Sequence, residues 1–422
     1  MKIHADSSSL KIPLCFIITG ILEMAAFFIA AILLLPDLPV TAPRTPYGWG
    51  LTHLFVLGWA SMIAMGAVYQ LVPVVLNQSL FSQKMGMFHY AIYLISHAGL
   101  IFGFFFFHPR WIAVFGTLLF LAILLFVLNI GITLLRARQW NPVTLHAGSA
   151  LVYLILAAFS GMFMGFDFIL GKLGVSHDQL LYTHIWLGVA GWFGNLIIGF
   201  SYKLLPMFSI SHSHPVQWQN RTLFLFNLAV AGGALSNLTG IGLWSRFSIM
   251  LLAVAFCLYV YALHQIRQSG IKKNPGAGIL FTLRVNLLAA LCLLGIAVCS
   301  FFVSQPAFFI LTIWTGLWGW VFLTIIGYLS KIVPFLWWTF QYGNQVGKNK
   351  VPLLSEMIQE QKLKRALHVA GFAFLTTVPG MVTSSAFLFQ AGFLLFSLSS
   401  LYAISIIGNV FTFRSKEEKA CV

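Results

Sequence analysis

The chain is 422 residues long, 59% hydrophobic and only 8% charged, with a mean hydropathy of +0.91, which excludes a water-soluble globular domain and fits a polytopic membrane protein. The length accommodates about a dozen membrane spans of roughly 20 residues with short loops, and leaves no separate soluble domain. The net charge of +15 reads as basic loops held against anionic headgroups of the lipid bilayer, not as a nucleic-acid surface. The five cysteines (Cys15, Cys257, Cys292, Cys299, Cys421) are odd in number and without paired spacing, so neither a disulfide framework nor a zinc site is indicated.

A polar lead, residues 1–10, precedes an apolar run over 12–35 with no small-residue cleavage site, which predicts a retained first span and not a signal peptide. Further apolar runs, broken by Pro, Gly or charge, predict spans over 50–75, 87–107, 111–135, 143–168, 181–207, 219–241, 247–266, 278–304, 307–337, 366–388 and 391–412. Twelve spans place both termini on one side. Lys2, Lys11, Lys84, Arg136, Arg138, Arg221, Arg267, Lys272, Lys273, Lys348, Lys350, Lys362, Lys364, Arg365, Arg414, Lys416 and Lys419 fall at the termini or in even-numbered loops, whereas the odd loops hold Arg44, Arg110, Lys172 and Arg246. The termini are therefore expected to be cytoplasmic, in a cell (inner) membrane. Between spans 10 and 11, VPLLSEMIQEQKLKR sets Leu354, Met357, Ile358 and Leu363 at roughly helical spacing beside a charged face, the pattern of an interfacial helix or of a solvated linker.

An internal repeat organises this single integral membrane domain. Span 2 carries Gly58-Trp59, Gly66 and Pro73; span 6 carries Gly191-Trp192, Gly199 and Pro206; span 10 carries Gly319-Trp320, Gly327 and Pro334, with identical internal spacings. Three units of four spans follow, about 12–136, 143–268 and 278–412, entering the membrane in parallel about an axis along its normal. Gly admits a neighbouring helix, Trp fills a bundle interior, and Pro ends or kinks the helix. Those structural demands explain the repeat without explaining the histidines.

His53 opens span 2, in THLFVLGWASMIAMGAVYQLVPVV, and His184 opens span 6, in YTHIWLGVAGW. Imidazole is a common ligand for haem iron and copper, so the two serve as candidate cofactor or metal ligands; the plainer role is a hydrogen bond to a main-chain carbonyl or the lining of a wet cavity. His53 lies six residues before its repeat Trp and His184 eight before, so on a regular helix the two point differently, toward one site from two helices or toward two sites. His97, in the middle of span 3, is a further cofactor candidate or a packing histidine. Glu23, the one acid deep within a span, reads as part of a proton path or as a neutral acid bonded to an adjacent helix. His89, His146, His212, His214, His264 and His368 fall at inner ends or loops, where solvated or headgroup roles are expected, with a weak metal-handling signal in SISHSHP. Lys203, Lys331 and Arg284 read as anchors reaching the inner face, and Met62, Met65, Met162, Met164 and Met207 as packing residues with latent ligand chemistry. No nucleotide-binding loop, Ser/His/Asp set or metalloprotease motif is present.

Three parallel four-helix units with inward termini, and a histidine near the outer end of spans 2 and 6, resemble subunit I of the haem-copper oxidases, the related nitric-oxide reductases and smaller membrane proteins of the nitric-oxide-response type. The resemblance implies an all-α membrane fold of twelve helices, a haem ligand at His53 and a copper-site ligand position at His184, with haem b, and copper besides, as cofactors. The chain departs from the family in span 7, TLFLFNLAVAGGALSNLTGIGLW, which has no histidine; in span 10, where Thr312 and Trp314 stand at the ligand offsets; and in span 6, where His184-Ile185-Trp186 replaces the family's His-Pro-Glu. These departures remove the oxygen-reducing dinuclear centre. The implied roles are electron transfer, response to NO or O2, or maturation of a respiratory complex, with respiratory-chain or redox proteins as partners. A transporter of a small solute, haem or metal ion on the same bundle, or a ligand-free scaffold, is the alternative.

Overall fold

A computed structural model of the chain describes residues 10–37, 44–171, 174, 176–212 and 214–413. Lys2, Lys172, Arg414, Lys416, Lys419 and Cys421, which enter the charge and cysteine readings, lie outside the described residues. Among the described residues, twelve helices are long and apolar enough to cross a membrane: α1 (Lys11–Leu33), α2 (Pro46–Leu76), α3 (Gln83–Phe105), α4 (Pro109–Ala137), α5 (Pro142–Leu170), α6 (His177–Ser209), α7 (Val216–Thr239), α8 (Gly242–Gln268), α9 (Ala277–Cys299), α10 (Pro306–Gln345), α11 (Glu360–Val382) and α12 (Ala386–Thr412). No strand occurs among the described residues. The outward faces stay apolar, with Leu22, Phe224, Phe302 and Phe387 all more than 60% exposed, as lipid-facing side chains are. The chain is a multi-pass membrane-type helical bundle.

Helix starts follow local chemistry. Pro46, Pro109, Pro142 and Pro306 occupy first turns, where the missing N–H costs nothing. Thr45 and Ser82 accept from Gly48 N and Met85 N, and Asn141 with Thr144 forms a reciprocal cap on α5. In α2 and α6 the repeat proline lies inside the helix, one turn before its end. Four residues after Pro73 and Pro206, Asn77 and Ile210 take left-handed backbone (φ 49° and 51°), and the next amides donate back to the proline carbonyls at 3.1 and 3.0 Å. Pro334 lacks that stop and α10 runs on to Gln345.

The repeat has a structural counterpart that its spacing did not announce. Leu54–Ser61, Leu187–Gly194 and Thr315–Phe322 are π-helical, each eight residues long, with Gly58, Gly191 and Gly319 at the fifth position of each. The tryptophans that follow, Trp59, Trp192 and Trp320, are buried. Beyond them, a Cβ on Gly66, Gly199 or Gly327 would press on the first helix of the same repeat unit, meeting Pro13 O, Val143 O and Gly278 O among its nearest atoms; close helix approach is what these glycines provide. Side chains from two π segments interlock, with Phe55 and Trp318 ring centroids 3.8 Å apart and Trp59 and Phe322 5.0 Å apart. α2 and α6 are the most enclosed helices, 78% of their apolar windows being buried against 33–56% in the others.

The segment between spans 10 and 11 is neither an interfacial helix nor a solvated linker. A single 3-10 turn (Leu354–Glu356) leads into α11, which begins at Glu360, and Met357, Ile358 and Leu363 are buried against the bundle. The apolar spacing thus marks residues that tuck beneath the helices. Lys331 and Arg284 have specific partners: Lys331 Nζ lies 3.5 Å from Glu360 Oε1, which also accepts from Ala277 N at 2.7 Å, and Arg284 donates to His368 Nε2 at 2.9 Å.

Candidate functional site

α2 and α6 bring His53 and His184 together. Their ring centroids are 6.2 Å apart with planes 26° from parallel. The offset that would part them on regular helices is resolved by two different helices facing one space, with π-helical backbone beginning immediately after His53 and three residues after His184. His53 donates Nδ1–H to Trp49 O at 2.8 Å, and His184 donates Nδ1–H to Ala157 O at 2.7 Å, with Ser160 Oγ at 3.4 Å. A carbonyl can only accept, so both rings are held in the tautomer that leaves the Nε2 lone pair free. Neither Nε2 has a hydrogen-bond partner among the described residues, and both side chains keep part of their surface accessible. Phe104 stacks on His53 at 4.7 Å, and Gly161 makes room for His184, whose Cε1 would lie 2.9 Å from a Cβ there.

The two imidazoles are a donor set that would suit haem iron, and a carbonyl on the far nitrogen is the usual orienting partner of a metal-bound histidine. Haem needs no more than these two protein ligands. A copper or zinc ion bound by protein alone needs three or four, and no group of three or more His, Cys, Asp or Glu able to hold a metal ion occurs among the described residues.

His97 and Glu23 form a neighbouring pair outside that ligand geometry. His97 is 1% exposed, and both its ring nitrogens are buried without a hydrogen-bond partner; Nδ1 is 3.9 Å from Glu23 Oε1. Gly58 closes the pair from α2: a Cβ there would meet His97 Cε1 at 2.9 Å and Glu23 Oε2 at 3.1 Å. The repeat glycine thus admits an imidazole and a carboxyl to the wall of the helix that bears His53.

At the offset of His53 the other two units carry indoles that are already engaged: Trp186 donates to Val230 O and Trp314 to Thr377 Oγ1, both at 2.9 Å. Thr312, at the offset of His184, donates to Phe308 O in its own helix. Two histidines assigned to solvent by their position near span ends are fully buried instead. His89 pairs with the Tyr69 hydroxyl at 3.1 Å and His146 with Asn195 Oδ1 at 2.7 Å, because α3 and α5 turn those faces inward. His212 and His214 are exposed and bring no third ligand. Met62, Met65 and Met164 are core residues and Met207 is exposed. Compared with known proteins, the chain matches no family model and no curated relative.

Proposed function

We propose that the chain is a haem-binding membrane protein of the haem-copper oxidase subunit I type, in which His53 and His184 would hold the haem, that transfers electrons and does not reduce oxygen. The observation that carries this reading is the pair of imidazoles 6.2 Å apart, each with Nδ1–H on a main-chain carbonyl and Nε2 unengaged. Haem b, when bound, supplies one-electron exchange. The chain's own residues orient the ligands through Trp49 O and Ala157 O and exclude water from one face of His53 with Phe104. Two imidazoles that would both be engaged in holding the iron favour electron transfer over NO or O2 response. Two ligands serve copper alone less well.

Glu23 and His97 are assigned to proton handling beside this centre, since an ionisable pair inside a membrane bundle is functional by default. Equal register of the three π-helical segments supports three parallel four-helix units. The lysine and arginine distribution supports cytoplasmic termini in the cell membrane, and a redox protein is the partner class.

Expression with ample haem, purification and a reduced-minus-oxidised spectrum test the reading. Soret and α bands of a six-coordinate low-spin haem are expected, lost in both His53→Ala and His184→Ala. A flat spectrum with iron at background overturns the proposal, and bands that survive His53→Ala overturn the ligand assignment. Carbon monoxide that shifts the wild-type bands points to an open position and a gas-response role.

A further inference from the structure

α9 and α11 carry charge on a face that the rest of the bundle leaves to lipid. Their first residues are joined, Ala277 N donating to Glu360 Oε1 at 2.7 Å, so the two helices begin side by side and run the same way. Two turns on, the buried Phe281 ring closes the seam between them: a Cβ on Gly371 would meet it at 3.4 Å, and the His368 ring lies 5.8 Å from it, edge to face. Outside that closure Arg284 of α9 reaches across to His368 of α11, donating to Nε2 at 2.9 Å, and both side chains are exposed.

The bond fixes the charge of the pair. His368 Nδ1 donates to Lys364 O at 2.7 Å, so Nε2 must offer its lone pair to the guanidinium and the ring is neutral. Arg284 therefore spends one N–H on an uncharged acceptor and keeps its full positive charge. Lys364 and Arg365, four and three residues before His368 on α11, lie on the same helix face and are exposed. No ion pair among the described residues involves Arg284, Lys364 or Arg365. Three cations thus meet at one seam without a counter-charge.

Their depth separates them from ordinary loop lysines. Arg284 stands seven residues into α9, about 10 Å from its start, and the next residues on its face, Leu288 and Leu291, are exposed and apolar. On α11 the exposed face continues from Arg365 and His368 to Phe372 and Leu375. Each helix therefore presents charge toward its start and hydrocarbon-like side chains beyond it. An outward-facing guanidinium at the edge of the apolar zone is costly unless an anion meets it, and a guanidinium fork with a free edge matches phosphate oxygens. Phosphate at the cations with acyl chains along the apolar stripes is the layout of an anionic phospholipid, and basic pockets between membrane helices are where such headgroups bind.

We propose that Arg284, Lys364 and Arg365, with His368 holding the guanidinium in place, form a site for the phosphate of one anionic phospholipid in the groove between α9 and α11. The site needs the membrane bundle and not the haem reading.

Photo-crosslinking of the full-length protein in phosphatidylcholine nanodiscs tests it, with a trace of phosphatidylglycerol bearing a diazirine near the glycerol end of one acyl chain and a matched phosphatidylcholine probe, the adducts being mapped by mass spectrometry. Adducts in 281–291 and 361–375 are expected several-fold more often with the phosphatidylglycerol probe. Equal yields from the two probes there, or phosphatidylglycerol adducts spread evenly over the helix ends at Arg136 and Arg221, overturn the proposal, and this wild-type comparison needs no variant to fold. Excess inorganic phosphate that removes the adducts, where chloride at equal ionic strength does not, assigns the groove to a free anion and overturns the lipid as occupant. Arg284→Gln is expected to lower the phosphatidylglycerol yield several-fold, whereas Arg221→Gln, the same charge change on α7, leaves it unchanged; a yield in Arg284→Gln equal to that of the wild type overturns the site. Crosslinking is read without any haem band, so its outcome is separate from that of the spectrum.

Discussion

Replacing Gly58 with Ala probes the packing on which the candidate centre is built. The new methyl would lie 2.9 Å from His97 Cε1, 3.1 Å from Glu23 Oε2 and 3.2 Å from His97 Nε2, closer than side-chain carbons tolerate. His97 has little freedom to yield, being 1% exposed and aligned with the Tyr93 ring at 6.4 Å, while the Tyr93 hydroxyl is tied to Leu57 O at 3.0 Å. Overpacking of this kind costs about 1–3 kcal/mol. Exchanging Gly for Ala in a helix returns about 1 kcal/mol, so the net loss is about 0–2 kcal/mol. Gly148 in α5 is the internal control: no atom lies within 4 Å of its Cβ position, so Gly148→Ala keeps only the gain. The two variants should therefore differ by about 1–3 kcal/mol, read as the shift in midpoint when the protein is unfolded reversibly in mixed micelles. A Gly58→Ala protein at least as stable as Gly148→Ala would refute the claim that Gly58 is a contact glycine for His97 and Glu23.

Further outcomes follow from other contacts. Ser201→Ala should destabilise by about 2–5 kcal/mol, because it orphans the buried Tyr259 and Tyr328 hydroxyls together, whereas Tyr328→Phe, which removes one bond and its donor, should cost about 1 kcal/mol in the same unfolding assay. Arg44 pairs with Asp178 at 2.7 Å, but the side chains are 49% and 57% exposed; Arg44→Ala should cost no more than about 1 kcal/mol, and the difference should vanish near 1 M salt, where screening acts within about 3 Å. Glu360→Gln should loosen the junction of α9 and α11 by weakening the carboxylate that joins Lys331 to the Ala277 amide, visible as faster amide exchange at Ala277 than in the wild type.

Part of the site is legible in the sequence. His53 and His184 stood out because an imidazole within an apolar span is costly and rare, and the structure brings the two together. Whether they shared a site was not legible: six and eight residues before a tryptophan are incompatible directions on a regular helix, and no residue pattern marks the π-helical turns that follow them. His89 and His146 were misread as solvated because position near a span end says nothing about which way the helix is rotated. The helical spacing of Leu354, Met357, Ile358 and Leu363 suggests an interfacial helix or a solvated linker, and neither forms: Leu354 stays exposed while the other three pack against the bundle.

The sequence by itself determined that this is a membrane-type protein of twelve helices, and that its second, sixth and tenth spans share one Gly, Trp and Pro frame. Apolar run length, charge between runs and residue spacing are local properties, additive along the chain. Tertiary structure alone decided that two imidazoles face each other across α2 and α6, that Glu23 and His97 meet over Gly58, and that His146 is buried against Asn195. Those outcomes depend on the rotation of each helix about its axis and on its neighbours, which are set by how glycine contacts and π-helical turns let the helices pack.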